Sequence, residues 1–279
     1  MKKKPRLLER IIKYYLIENT FAKRKKFITR MTPINEVKQL LEMLYPINCE
    51  KGLIRLGPEK DGGYLIPDDL DGIEACFSPG VSTVSGFEKD CANRNIKVFL
   101  ADASVNAPTE TDDLFDFIPK FIGSMNNDSY LTLDKWVNSK IPDTSKELLL
   151  QMDIERAEYE VFHSLSEKTI NRFRIMVIEF HDLDEIWNYP FFKVMSRVFK
   201  KILQTHHCVH IHPNNIANKR KLNGIETVQT MEFTFYKKER INKVQHQTSF
   251  PHKLDRDNSP KEPAIVLPIS WYKKRKLSN

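Results

Sequence analysis

Three stretches of the chain place carboxylates, imidazoles and amides beside short apolar runs. Asp153-Ile154-Glu155-Arg156-Ala157-Glu158-Tyr159-Glu160 follows Leu148–Met152, and Glu179-Phe180-His181-Asp182 follows Arg174–Ile178. His210-Ile211-His212-Pro213-Asn214-Asn215 overlaps the end of Val209–Ile211. A continuous apolar run of this length reads as a strand buried on both faces of a parallel sheet. The polar residues after it are then delivered to one end of that sheet. Buried charges must be paired or used, so three adjacent polar strand ends point to a site rather than to packing. The chemistry on offer is proton transfer and recognition of oxygen. His181 is the leading general base, because an imidazole titrates near neutral pH, and Asp153, His210 and His212 stand in reserve. Glu179, Asn214 and Asn215 suit hydrogen bonding to substrate hydroxyls. The same residue types offer ligands for Mg²⁺ or Mn²⁺ through Asp153, Glu179, His181 and His210, although their spacing in sequence is long-range.

A second group lies upstream. Ser78-Pro79-Gly80-Val81-Ser82-Thr83 follows the apolar run Glu74–Phe77, and Gly86-Phe87-Glu88 opens a helical stretch. A glycine here lets the backbone approach a cofactor closely, and the helix start offers free N–H groups. Asp102 ends the next apolar run, Lys97–Ala101, some twenty residues beyond the glycine turn, where a carboxylate can accept both hydrogen bonds of a ribose diol. Gly80, Ser82, Glu88, Asp102 and Asp153 are therefore the candidate cofactor-binding residues.

The elements that must position these groups alternate between strand and helix. Residues 34–45 carry Ile34, Val37, Leu40, Leu41 and Leu44 at amphipathic helical spacing. A short strand, a turn at Asp61-Gly62-Gly63 and the strand Tyr64–Ile66 follow. Helices are predicted over 85–94, 130–137, 157–165 and 191–205, with a weak strand at 117–122. Val209–Ile211 and Met231–Tyr236 are predicted as an antiparallel pair, with a turn at Asn223-Gly224 between them. Such alternation predicts an α/β fold, a Rossmann-like doubly wound sheet, mostly parallel with a C-terminal antiparallel hairpin strand. In such a sheet the ligand sits beyond the carboxyl ends of the strands. The expected organisation is a basic helical extension over 1–50, a catalytic domain over 51–240 and a loose tail over 241–279.

Composition bounds the remaining choices. The net charge of +7 is uneven: residues 1–30 hold eleven Lys/Arg against Glu9 and Glu18, so the rest of the chain sums to −2. That segment, with Leu7, Leu8, Ile11, Ile12, Tyr15 and Leu16 at helical spacing, suits peripheral contact with an anionic membrane surface or a docked solvated helix. A second basic cluster, Lys273–Lys276, closes the chain. Basic residues that flank the body without lining a motif argue against nucleic acid as a partner. No run of 18 apolar residues marks a spanning helix. Four cysteines without CxxC spacing read as buried thiols of a reducing compartment. The expected location is the cytoplasm, with peripheral contact at the inner face of a membrane as its variant. Oligomeric state is not encoded in these patterns.

From Asp61 to Lys238 the chain resembles the FkbM-like family of S-adenosylmethionine-dependent methyltransferases. The resemblance rests on Asp61-Gly62-Gly63-Tyr64, Phe87-Glu88-Lys89-Asp90, Leu149–Glu155 with Ala157-Glu158-Tyr159-Glu160, Val177–His181 and His210–Asn215. The segment running from Asp153 to Glu160 is the most specific of these. Two positions depart from the family pattern: Arg156 stands where glycine is usual, and a second glycine near Ser82 is missing. The resemblance implies S-adenosylmethionine as cofactor and methyl transfer to a hydroxyl of a sugar, glycan precursor or related metabolite. Amino-group methylation of nucleic acid would want an Asn/Asp-Pro-Pro-aromatic element, and His212-Pro213-Asn214 does not match it. A dinucleotide oxidoreductase would want GxGxxG, which Ser78–Thr83 lacks. The rival from a different class is a non-catalytic module of the same fold, associated with a membrane or a glycan assembly complex.

Overall fold

The computed structural model describes residues 7–23 and 27–273, with no side-chain description for 7–13. The basic residues Lys2, Lys3, Lys4, Arg6, Arg24, Lys25, Lys26 and Lys274–Lys276 lie outside the described residues, as do the side chains of Leu7, Leu8, Ile11 and Ile12. A seven-stranded sheet forms the centre: β1 (Ile73–Pro79), β2 (Lys97–Ala101), β3 (Phe115–Ile118), β4 (Glu147–Met152), β5 (Phe173–Phe180), β6 (His206–Pro213) and β7 (Met231–Lys237). Their spatial order is 6-7-5-4-1-2-3, and β7 alone runs antiparallel, inserted between β5 and β6. This is the doubly wound, Rossmann-like sheet with a reversed C-terminal strand that the alternation predicts.

The order explains where a ligand fits. From β1 the chain winds outward through β2 to β3, then returns to β4 on the other side of β1. The strand order thus reverses between β1 and β4. Loops leaving their carboxyl ends diverge there and open a crevice.

Helices α2 (Ile34–Met43), α3 (Gly86–Ala92), α4 (Leu133–Lys140), α5 (Glu158–Ser164), α6 (Glu167–Ile170) and α7 (Tyr189–Thr205) cover the sheet, and α1 (Leu7–Lys23) precedes them with its described side chains largely exposed. One core layer joins α2, α4, α5 and α7 to the sheet through Leu40, Trp136, Phe162 and Phe199, and the other joins α3 and the 53–67 hairpin through Leu56, Tyr64 and Phe87. Each such large side chain contributes about 1.5–3 kcal/mol on leaving water. β5 is buried along all eight residues, as a strand covered on both faces must be. Among the described residues no helix is long and apolar enough to cross a membrane.

Several local expectations are revised. The weak strand at 117–122 is two strands: Phe115–Ile118 joins the central sheet, while Phe121–Gly123 pairs with Tyr130–Thr132. The helix expected from Tyr130 therefore starts at Leu133, where the Thr132 hydroxyl caps it by accepting from the Lys135 N–H. The Asn223-Gly224 turn closes a small hairpin of its own, Lys219–Leu222 with Ile225–Val228, and does not join β6 directly to β7. The four cysteines are free, three of them buried.

The C-terminal segment expected to be loose is docked, and polar anchors hold it where apolar patterning is weak. Gln247 donates to the Val209 carbonyl over 2.7 Å, and Asp255 lies 2.8 Å from His210 Nε2. Asn258 bridges Asp61 and Glu232, and Leu267 and Trp271 are buried.

Candidate functional site

The crevice at the order reversal is a cleft of ≈ 360 Å³ lined by Gly80, Ser82, Ala101, Asp102, Ser104, Phe121, Ile122, Tyr130, Asp153, Ile154, Glu155 and Ala157. A smaller cleft of ≈ 140 Å³ shares Gly80, Ser82, Asp153 and Glu155 and adds Asp61, Tyr64, Glu88 and Gln151. Gly80 has φ +88°, and a Cβ there would sit 1.5 Å from the Asp153 carbonyl oxygen. Only glycine allows the loops after β1 and β4 to touch.

Asp102, at the end of β2, is largely buried and organises the loop opposite. Its Oδ2 accepts from the Ser82 N–H over 2.8 Å, and its Oδ1 accepts from the N–H and hydroxyl of Ser104, each over 2.7 Å. Each carboxylate oxygen has two lone pairs. Oδ2 thus keeps one lone pair for a hydroxyl in the cleft. Ser82 reaches this position with φ +46°, which shows why a glycine would be favoured nearby.

Glu88, on α3, is buried against Ser78, which lies 2.5 Å from Glu88 Oε1 and 2.6 Å from Gln151 Oε1. One hydroxyl has one proton and cannot donate to both. A protonated Glu88 donating to Ser78, with Ser78 donating to Gln151, satisfies all three groups. Burial pushes the Glu88 carboxyl up to about 7, which favours that protonated form, while a Ser78 hydroxyl donating to the ionised form would oppose it.

The loop after β4 turns back on itself through two left-handed residues, Glu155 (φ +52°) and Arg156 (φ +84°). A side chain in this region costs about 1 kcal/mol or more, so a glycine would be favoured at the position of Arg156. Glu158, fully buried on α5, holds the loop: its Oε1 accepts from the N–H groups of Ile154 (3.4 Å) and Arg156 (3.1 Å). Arg156 itself pairs with Asp182 over 3.0 Å at the exposed surface.

The same Glu158 oxygen lies 3.0 Å from His181 Nδ1. A carboxylate oxygen can only accept, so Nδ1 carries a proton in this contact. His181 Nε2 then faces Glu155 Oε2 (3.5 Å) and Asp153 Oδ1 (3.9 Å). Burial lowers the His181 pKa, but the hydrogen bond and charge of Glu158, with Asp153 and Glu155, outweigh it and hold the value above normal. Burial raises the Asp153 carboxyl to about 7, opposed by His181 and reinforced by Glu155 and Glu158.

The structure thus brings His181 within 3.9 Å of Asp153, which lines the cleft. It adds Glu155 and Glu158, which the strand-end pattern contained without marking; the signal was two acids flanking Arg156 at the start of a helix. Glu179 is placed one strand over, buried and hydrogen-bonded by Asn214 over 2.9 Å. Burial, then the charges of Asp153 and Glu232, raise its pKa well above normal. Glu179, Glu232 and His212 stand in register across β5, β7 and β6. His210 and His212 face Asp255 of the docked C-terminal segment, and Asn215 binds the backbone of Ser259 and Glu262. None of Glu179, His181, His210, His212, Asn214 and Asn215 is among the residues lining the two clefts; His181 stands behind Asp153 and Glu155, which line both. Of the four metal-ligand candidates, Asp153 and His181 cluster with Glu155, while Glu179 and His210 do not join them.

Fold and site together define a doubly wound α/β protein with a cleft at the order reversal and a carboxylate–imidazole cluster beside it. No family model and no curated protein matches the sequence, so the FkbM-like resemblance stands on its motifs alone. Six chains of known structure match. One is a candidate RNA methyltransferase from Pyrococcus horikoshii, with 9% identity over 60% of this chain and 76% of that one, at a TM-score of 0.29. A likeness that distant carries no argument about chemistry.

Proposed function

We propose that the chain is an S-adenosylmethionine-dependent O-methyltransferase acting on a hydroxyl of a sugar, glycan precursor or related metabolite. The observation that carries this reading is the cleft itself: a glycine that alone permits loop contact, and a carboxylate with a free lone pair on the adjacent strand end. Asp102 would accept from one hydroxyl of the ribose, the backbone at Gly80 and Ser82 would lie along the cofactor, and Phe121, Ile122 and Tyr130 would give a wall for a base. When bound, the cofactor supplies a methyl group on a positively charged sulfur. The work left to the protein is to orient the acceptor and receive its proton. His181, with Nδ1 committed to Glu158, would receive that proton at Nε2. Asp61 and Tyr64, on the smaller cleft, are placed to hydrogen-bond a polyhydroxylated acceptor.

The test is a calorimetric titration of S-adenosylhomocysteine into the full chain and into Asp102→Asn. Micromolar binding, weakened about tenfold or more by the substitution, is the expected result; a tenfold loss corresponds to about 1.4 kcal/mol. No binding by the unaltered chain would overturn the reading and leave the non-catalytic module in its place.

A further inference from the structure

We infer that Asp153, Glu155 and His181 form a binding site for one divalent cation of the Mn²⁺ or Zn²⁺ type, with Glu158 holding the imidazole in its ligating orientation. One oxygen of each acid and one imidazole nitrogen all lie within 4.8 Å of one another. Nε2 stands 3.5 Å from Glu155 Oε2 and 3.9 Å from Asp153 Oδ1. Donors about 2.1 Å from a shared ion stand about 3.0–3.4 Å apart in octahedral or tetrahedral geometry, so small side-chain movements complete the set.

Two independent features point to a cation. Asp153 Oδ1 is shut off from solvent and has no hydrogen-bond partner, which is costly for a carboxylate oxygen. In addition, Glu158 accepts from Nδ1, which turns Nε2 toward two carboxylates. A positive charge between Nε2 and these oxygens, carried by a proton on the imidazole or by a metal ion, relieves their mutual repulsion. The carboxylate–histidine pair is also the arrangement that orients metal-bound imidazoles and raises their basicity. Mixed nitrogen and oxygen donors favour Mn²⁺ or Zn²⁺ over the all-oxygen preference of Ca²⁺ and Mg²⁺. Glu155 is largely exposed, which leaves the outer side of the ion open to water or to a hydroxyl.

With the ion in place, His181 is a ligand rather than a base, and a hydroxyl coordinated at the open side loses its proton at a lower pH. This use of the cation rests on the methyl-transfer reading; cation binding does not. The experiment is a Mn²⁺ titration of chelator-stripped full-length protein, followed by the paramagnetic resonance of free Mn²⁺, with Zn²⁺ as competitor. The expected result is one Mn²⁺ per chain, displaced by Zn²⁺, with affinity lowered tenfold or more in Glu155→Gln and in His181→Ala. Because Glu155 is at the surface, its variant keeps the fold. Absence of stoichiometric binding, or binding that both variants leave unchanged, would overturn the assignment. Titration of S-adenosylhomocysteine into the same metal-free protein reports separately on the methyl-transfer reading, which can fail while Mn²⁺ binding holds.

Discussion

His181 Nδ1 donates to Glu158 Oε1 over 3.0 Å, and that single oxygen also accepts the N–H groups of Ile154 and Arg156. One buried carboxylate therefore fixes the imidazole on β5 and the strained loop after β4 at once. Glu158 is a positioning residue. Glu158→Gln removes a charge that raises the His181 pKa. The acid limb of the pH–rate profile, which needs an unprotonated Nε2, is expected to move to lower pH. Turnover should fall about tenfold to a hundredfold, the range typical of partners of this kind. A profile at unchanged pH would show that Glu158 acts only on the loop.

Gly80→Ala places a Cβ against the Asp153 carbonyl in a left-handed backbone conformation. The two loops must separate, so we expect a stability loss of about 2 kcal/mol or more in urea unfolding. Binding of S-adenosylhomocysteine should be lost with it. Unaltered stability and binding would mean that the loops are not in contact in solution.

Glu88 makes stability depend on pH with a definite sign. Its carboxyl is ordinarily near 4.5 and is held at about 7 in the fold. The folded state keeps the proton that the unfolded chain loses, so this contribution is complete below pH 4.5 and is lost as pH rises through 7. The difference is worth about 3 kcal/mol. Glu88→Gln mimics the protonated acid. It should match the unaltered protein near pH 4 and exceed it at pH 8, measured by urea midpoints across that range.

The docked C-terminal segment should resist proteolysis. Cleavage after Lys253 or Arg256 requires the contacts of Gln247, Asp255 and Asn258 to open first. Asp255→Ala strips His210 of its partner and should speed trypsin cleavage here by tenfold or more, read by mass spectrometry of the timed digest. Rapid cleavage of the unaltered chain would restore the picture of a loose tail.

The basic N-terminal segment gives a prediction about surfaces. The helix Leu7–Lys23 carries Tyr14, Tyr15 and Leu16 more than half exposed. We propose peripheral membrane contact here, so the chain should sediment with anionic vesicles at low salt and release at high salt. Deleting residues 1–30 should abolish sedimentation. Equal sedimentation of the truncated chain would remove the proposal.

Much was readable in the sequence because secondary structure and sheet end are properties of short windows. The apolar runs at Leu148–Met152 and Ile175–Ile178 fixed which residues are strands buried on both faces. The polar residues following them were thereby confined to one end of the sheet. The pairing of the Gly80 turn with Asp102 was readable for the same reason. What the windows could not decide was which strand ends are neighbours. The insertion of β7 beside β5 places Glu232 between Glu179 and His212, and puts the imidazoles of β6 beyond it. His181 instead meets Asp153, Glu155 and Glu158, residues more than twenty positions earlier. The docking of 245–272 was equally hidden, because Asp255 and Asn258 are polar anchors without periodicity, and polar contacts announce themselves only when their partners are in place. Local periodicity set the elements; the long-range closure of the sheet chose which charges share a site.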